Sequence, residues 1–232
     1  MKVAPSTVEG IVVLAPDSPE FGDGLTRILG RAPRELLQPA VPFSVIVENN
    51  TERTVALMAV RFDMAGPRAK QYSVVHFADT LRNPEKSDFR PGARRFVCAE
   101  PAYTSLVIRG DVAANTRGRM NLGNLRKMIQ IKATLDCIAF EDGEFAGPDS
   151  QGSFERFASE REVEASVIAE MLSLEGSPVS TLEDALVRSI QDPHERARRG
   201  VARKLLESLG SGGPDEMFRR ARAFRHRIPL WR

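Results

Sequence analysis

The chain has 232 residues, with 33 Lys and Arg against 31 Asp and Glu, for a formal charge of +2 with histidine neutral. That length suits one large domain or two small ones, and it buries enough surface to fold without disulfides or metals. Two cysteines, 42% hydrophobic residues and no long apolar run argue against a disulfide-dense scaffold, a four-cysteine zinc site, wholesale disorder and a transmembrane helix.

Residues Met1–Gly10 contain one Lys and no apolar stretch, so no signal peptide is expected there. The compartment is open between the cytoplasm and an exported protein whose signal has been removed. Gly10–Leu14 is the first expected strand. Residues 22–38 are expected as a loop or short helix, limited by Pro33. Val41–Asn50 and Arg53–Phe62 are rich in β-branched and apolar residues, and the polar break Asn49–Glu52 is of the kind that joins adjacent antiparallel strands. Further strands are expected at Gln71–Phe77, Arg94–Ala99, Ser105–Arg109 and Met128–Phe140. Asp111–Lys127 is polar and rich in Asn, Gly and Arg, and reads as a long loop. In the last strand Ile131, Ala133, Leu135, Cys137 and Ala139 alternate with polar residues, which predicts a sheet with one buried face. Asp142-Gly143 then signals a tight hairpin turn.

From about residue 150 the period changes to that of a helix. Ser153–Leu174 is the first; Ser180–Glu183 forms a capping box for a second, with Leu182, Ala185, Leu186 and Ile190 as its apolar stripe. Asp192-Pro193-His194-Glu195 is a start signal for a third, which Gly210–Pro214 is expected to end before a short helix at Asp215–Phe224. The expected fold class is therefore α+β: a β-sandwich over residues 1–148, followed over 149–232 by a bundle of three or four helices. Residues 1–140 carry a net charge of +5, residues 141–192 a net charge of −10, and residues 193–232 a net charge of +7. Acidic first helices packed beside basic last ones account for this pattern; the other reading is a basic arm that meets a partner.

Phe43–Val55, continuing into Ala59-Val-Arg-Phe-Asp63, resembles a strand pair of bacterial immunoglobulin-like sandwich modules. The run Phe89-Arg-Pro-Gly-Ala-Arg-Arg-Phe-Val97 is similar to the Pro-Gly turn that precedes a strand in them. The resemblance covers residues 40–145 and implies an immunoglobulin-like antiparallel sandwich. It departs from antibody domains, because the one tryptophan is Trp231 and the Cys–Trp–Cys arrangement is absent. Such folds do not fix an activity.

Chemistry-bearing motifs are sparse. The chain lacks the G-x-S-x-G elbow, the Walker A motif and the dinucleotide fingerprint. His76 reads as an ordinary strand histidine, His194 as a helix-start residue that fails H-E-x-x-H, and His226 as part of a solvated basic segment. Glu141, Asp142, Glu144 and Asp149 lack calcium-loop spacing and read as an acidic turn leading to a helix. Cys98 and Cys137 read as core thiols, with a cross-sheet disulfide as the alternative. No catalytic, cofactor-binding or metal-ligating residue is expected, and no cofactor. Partner binding is expected at Arg117, Arg119, Arg219, Arg220 and Trp231, the partner being another protein or a second copy of the chain. Two other classes stay open. One is a hydrolase built from His76 with Asp79, or from Asp142 and Asp149; the other is nucleic-acid binding through the basic tail.

Overall fold

The computed structural model describes residues 1–29, 34–79, 89–104, 112–192 and 196–225. The expected strand Ser105–Arg109, the helix start at residues 193–195, His226 and Trp231 lie outside them. The fold is mixed α+β, and the chain divides into two compact units, Met1–Gln151 and Gly152–Arg232.

The first unit contains two sheets. One joins β2 (Ile11–Leu14), β3 (Ser44–Asn49) and β6 (Arg94–Cys98) in an antiparallel set, with Val13 opposite Val47 and Ile46 opposite Phe96. The other is built around β4 (Val55–Ala65), which lies antiparallel to β5 (Gln71–Asp79) on one side and to β7 (Gln130–Phe140) on the other. Strand β7 also pairs with β1 (Lys2–Val3) and β8 (Phe145–Ala146). Since β1 runs parallel to β7, this sheet is mixed, whereas a wholly antiparallel one was expected.

Both sheets feed one apolar cluster. Val45, Ile46 and Phe96 enter it from the smaller sheet, and Met58, Val60, Phe62 and Leu135 from the larger. Helix α1 (Pro19–Leu29) adds Phe21 and Leu25, and helix α2 (Val112–Leu125) adds Leu122 and Leu125. The α2 segment corrects the loop expected over Asp111–Lys127. Asn and Gly favour turns and weaken a helix by up to about 1 kcal/mol each, and burying two leucines outweighs that local preference.

The polar break after β3 also behaves differently from expectation. Instead of turning the chain back along its neighbour, it carries the chain from the smaller sheet to the larger. Fully buried Asn49 organises the crossing. Its Nδ2 donates to the Arg53 carbonyl at 2.8 Å and to the Phe89 carbonyl at 2.9 Å, while its Oδ1 accepts from the Thr51 hydroxyl at 2.6 Å.

A third departure lies within β7. Ala59 is opposite Cys137 but Val60 is opposite Leu135, so Asp136 is the extra residue of a β-bulge. One inserted residue reverses which face the following side chains take. The core-facing series is therefore Ile131, Ala133, Leu135, Ile138 and Phe140, and the simple alternation through Cys137 and Ala139 fails after Leu135.

In the second unit α3 (Ser153–Ser173), α4 (Val179–Gln191) and α5 (Arg196–Arg225) share a core that includes Ile168, Met171, Leu186, Leu205 and Phe218. Helix α4 begins at Val179 on Pro178, and no side chain caps it, so the Ser180–Glu183 box is not used. Helix α5 runs past Gly210. It breaks at Gly213, whose φ of 73° and ψ of −171° no helix accommodates, just before Pro214. Arg198 pairs with Glu170, and Arg222 with Glu175, so acidic α3 and the turn after it neutralise part of basic α5.

Replacing Asn49 with Ala removes one of two donors from each of the Phe89 and Arg53 carbonyls, and the acceptor that holds the Thr51 hydroxyl. The expected loss is about 2–3 kcal/mol of stability, read as a lower urea midpoint with an unchanged slope. A midpoint within error of wild type would mean that the crossing does not depend on this side chain.

Candidate functional site

His76 and both cysteines of the first unit are buried. On β5, His76 follows the core-facing series of β4 through its pairing with Val60, and it packs edge-on to Phe62 with ring centroids 5.5 Å apart. Burial pushes its pKa from 6.5 down to about 4, and the weak contact of Nε2 with the Ala99 carbonyl at 3.4 Å offsets this only in part. His76 is thus neutral at physiological pH. Its suggested partner Asp79 pairs with Leu57 through the backbone, and the Asp79 side chain lies outside the described residues.

Cys98 and Cys137 are free and buried. Burial pushes the Cys98 thiol up to about 11, and burial together with the charges of Asp149 and Asp136 pushes Cys137 up to about 12. A thiol is a poor nucleophile unless it ionises, so both are inert in the folded chain.

The outward face of the larger sheet carries a connected polar network. Fully buried Asp136 accepts through Oδ1 from the Ser150 hydroxyl at 2.6 Å and from the Ser150 backbone N–H at 3.3 Å. Arg61 reaches the same oxygen at 3.4 Å, donates to the Ser150 hydroxyl, and places its Nε 3.0 Å from Asp63, which also accepts from Ser73 at 2.9 Å. Asp136 Oδ2 and Thr134 Oγ1 are buried without a hydrogen-bond partner. This network fixes a short strap. The Asp149 N–H bonds to the Asp136 carbonyl at 3.0 Å, and Gly147, at φ 114°, passes so close to β7 that a Cβ there would stand 2.7 Å from that carbonyl oxygen. Asp149 itself bonds to the Cys137 thiol. The arrangement is a latch made of one cation between two carboxylates.

The acidic turn is occupied differently. Arg53 binds Asp142 through two nitrogens, reaches Glu144 at 2.8 Å and lies 3.9 Å over the Phe140 ring. Its hydrogen bonds hold the Asp142 carboxyl below the usual range. Asp142 and Asp149 are therefore engaged with different partners, Arg53 and the strap. Among the described residues no group of three His, Cys, Asp or Glu side chains is placed to hold a metal ion.

The residues expected to bind a partner are spread over both units. Arg119 is exposed on α2, and the Arg117 side chain lies outside the described residues, as does Trp231. In the second unit Arg219 is exposed and paired with Glu216 at 2.6 Å, while Arg220 donates to Ser208 at 2.9 Å.

The sequence reading missed one further surface. At the end of the larger sheet, the turn between β4 and β5 is closed by the Gly66 N–H bonding the Lys70 carbonyl at 2.8 Å, and Ile129 N–H bonds the Ala65 carbonyl at 2.8 Å. This brings Arg68 and Lys70 to the same end as Arg126 and Lys127, all exposed. Ile129 is 75% exposed there and Tyr72 46%. The available signal was the local run Leu125-Arg-Lys-Met-Ile-Gln-Ile-Lys132, which has three cations and no acid.

In comparisons with known proteins, no family model, no curated protein and no solved structure matches this chain.

Two measurements check these environments. Between pH 6.5 and about 4 the unfolded chain takes up a proton that buried His76 refuses, so this residue makes stability rise with pH across that window and fall on acidification. Urea midpoints at about pH 7 and about pH 4.5 should differ more in wild type than in His76→Leu, by up to about 3 kcal/mol in free energy. An identical pH slope in the two proteins would refute the buried neutral state. Separately, Gly147→Ala should lift the strap at a cost of about 2 kcal/mol and speed iodoacetamide labelling of Cys137 in native buffer, while Cys98 stays protected. Unchanged Cys137 labelling would show that the strap does not shield it.

Proposed function

We propose that the chain is a non-enzymatic binding or protein-interaction module whose first unit is an immunoglobulin-like sandwich. The observation that carries this reading is the orientation of its side chains. His76, Cys98 and Cys137, the described groups best suited to act as base or nucleophile, are buried in their neutral forms. Cations and large apolar side chains stand outside, notably Arg119 on α2 and Tyr72 and Ile129 at the end of the larger sheet. Binding surfaces are built from such cation and aromatic combinations. Support for the sandwich reading comes from two sheets sharing one core and from a chain that crosses between them after β3. In α5, Arg198, Arg219 and Arg222 are already matched by Glu170, Glu216 and Glu175, which weakens the nucleic-acid reading of the tail.

The test pairs native mass spectrometry of the full chain with turnover assays on ester, phosphoester and peptide substrates. A dimer or another defined complex, with no turnover above the buffer rate, is expected. Saturable turnover that disappears in His76→Leu would replace this reading with the hydrolase.

A further inference from the structure

The exposed end of the larger sheet gathers more cations than carboxylates. From Gly66 to Tyr72 the chain carries Arg68 and Lys70, and from Leu125 to Lys132 it carries Arg126, Lys127 and Lys132; neither stretch contains an acid. Register brings the two stretches together, with Ala65 opposite both Gln71 and Gln130, and Met64 opposite both Tyr72 and Ile131. Lys2 adds a sixth cation beside Lys132. The carboxylate nearest in register, Asp63 opposite Lys132, is already bonded to Arg61 and Ser73. Several other described arginines are ion-paired, as Arg53 is with Asp142, Arg94 with Glu48 and Arg198 with Glu170.

Within this cationic end sits an apolar tip. Ile129 is 75% exposed, the largest exposure of any big apolar side chain described, and Tyr72 is 46% exposed. Both are held in place. Ile129 is fixed by its backbone bond to Ala65, and the Tyr72 ring and the Met128 thioether both close on Gly66. Arg68 stands at the turn's outermost part with φ 62°, between Pro67 and the Gly66–Lys70 closure.

We infer that this end of the sheet docks on the surface of an anionic phospholipid bilayer, with Ile129 entering the acyl boundary, Tyr72 at headgroup level and Arg68, Lys70, Arg126 and Lys127 meeting lipid phosphates. The inference rests on the binding-module reading and names its partner. Charge complementarity selects an anionic surface, since each basic residue near such a membrane adds to the attraction. The aliphatic tip selects lipid over nucleic acid: a branched alkyl chain gains nothing by stacking on bases, whereas it gains by leaving water for the hydrocarbon boundary. Tyrosine, with an apolar ring and a polar hydroxyl, suits the interface between the two. Because phosphates and basic side chains carry the contact, the attachment weakens with salt.

Flotation of the full chain with phosphatidylcholine vesicles, with and without phosphatidylserine, tests this. Wild type should bind the phosphatidylserine vesicles, release them at high salt and ignore phosphatidylcholine alone. Arg126→Gln with Lys127→Gln should weaken binding roughly thirtyfold, the equivalent of about 2 kcal/mol for two charges. Ile129→Ser should weaken it roughly tenfold. All three positions are exposed, so thermal melts of both variants should stay at the wild-type value. Absence of wild-type binding, or equal binding to both vesicle types, overturns the inference. So does tighter binding to single-stranded RNA that survives Ile129→Ser. Each leaves the module reading standing if native mass spectrometry has shown a complex, whereas substrate turnover would remove that reading by itself.

Discussion

The first unit depends on one strand and on the residue inserted into it. β7 pairs with β1, β4 and β8, and the bulge at Asp136 decides which of its side chains face the core. Without the insertion, Cys137 and Ala139 would take the core positions that Ile138 and Phe140 occupy. The insertion also puts a carboxylate where water does not reach it. Burying an unpaired charge costs several kcal/mol, and Arg61 and Ser150 are what make the position tenable. The same contact holds the strap from Gly147 to Ser150 against the sheet. Register, core and strap are thus one problem with one solution.

A second theme is how the chain distributes polarity. His76, Cys98 and Cys137 are buried, and burial disfavours the charged form of each. Several described arginines are matched by carboxylates, as at Arg53 beside the acidic turn and between helices at Arg198 and Arg222. Such exposed pairs contribute little stability each. Their effect is to remove charge from the list of surfaces free to meet a partner. At the end of the larger sheet, exposed cations instead gather around two exposed apolar side chains, Tyr72 and Ile129.

Much of the element content was legible from composition and period. Ser44–Asn49, Val55–Ala65 and Gln71–Asp79 are strands because β-branched and apolar residues dominate them, and Ser153–Ser173 and Val179–Gln191 are helices because their apolar residues recur at three- and four-residue spacing. The break near Gly213-Pro214 was legible too, since Pro lacks a donor and Gly tolerates a positive φ. The helix Val112–Leu125 was not, because its Asn and Gly residues disfavour helix locally and only Leu122 and Leu125, once buried, reverse the balance.

Local pattern therefore determined the type of most elements, the mixed α+β class and the charge asymmetry along the chain. Tertiary structure decided what no window of residues contains. It chose that Asn49 leads into a different sheet, because that depends on the distant carbonyl of Phe89. It set the bulge at Asp136, because that depends on Arg61 and Ser150 being there to receive the carboxylate. It also gathered Arg68, Lys70, Arg126 and Lys127 at one end of a sheet, because strand register joins residues some sixty positions apart in the chain. Propensity and periodicity are sums over neighbours in sequence, whereas burial, register and charge pairing are sums over neighbours in space.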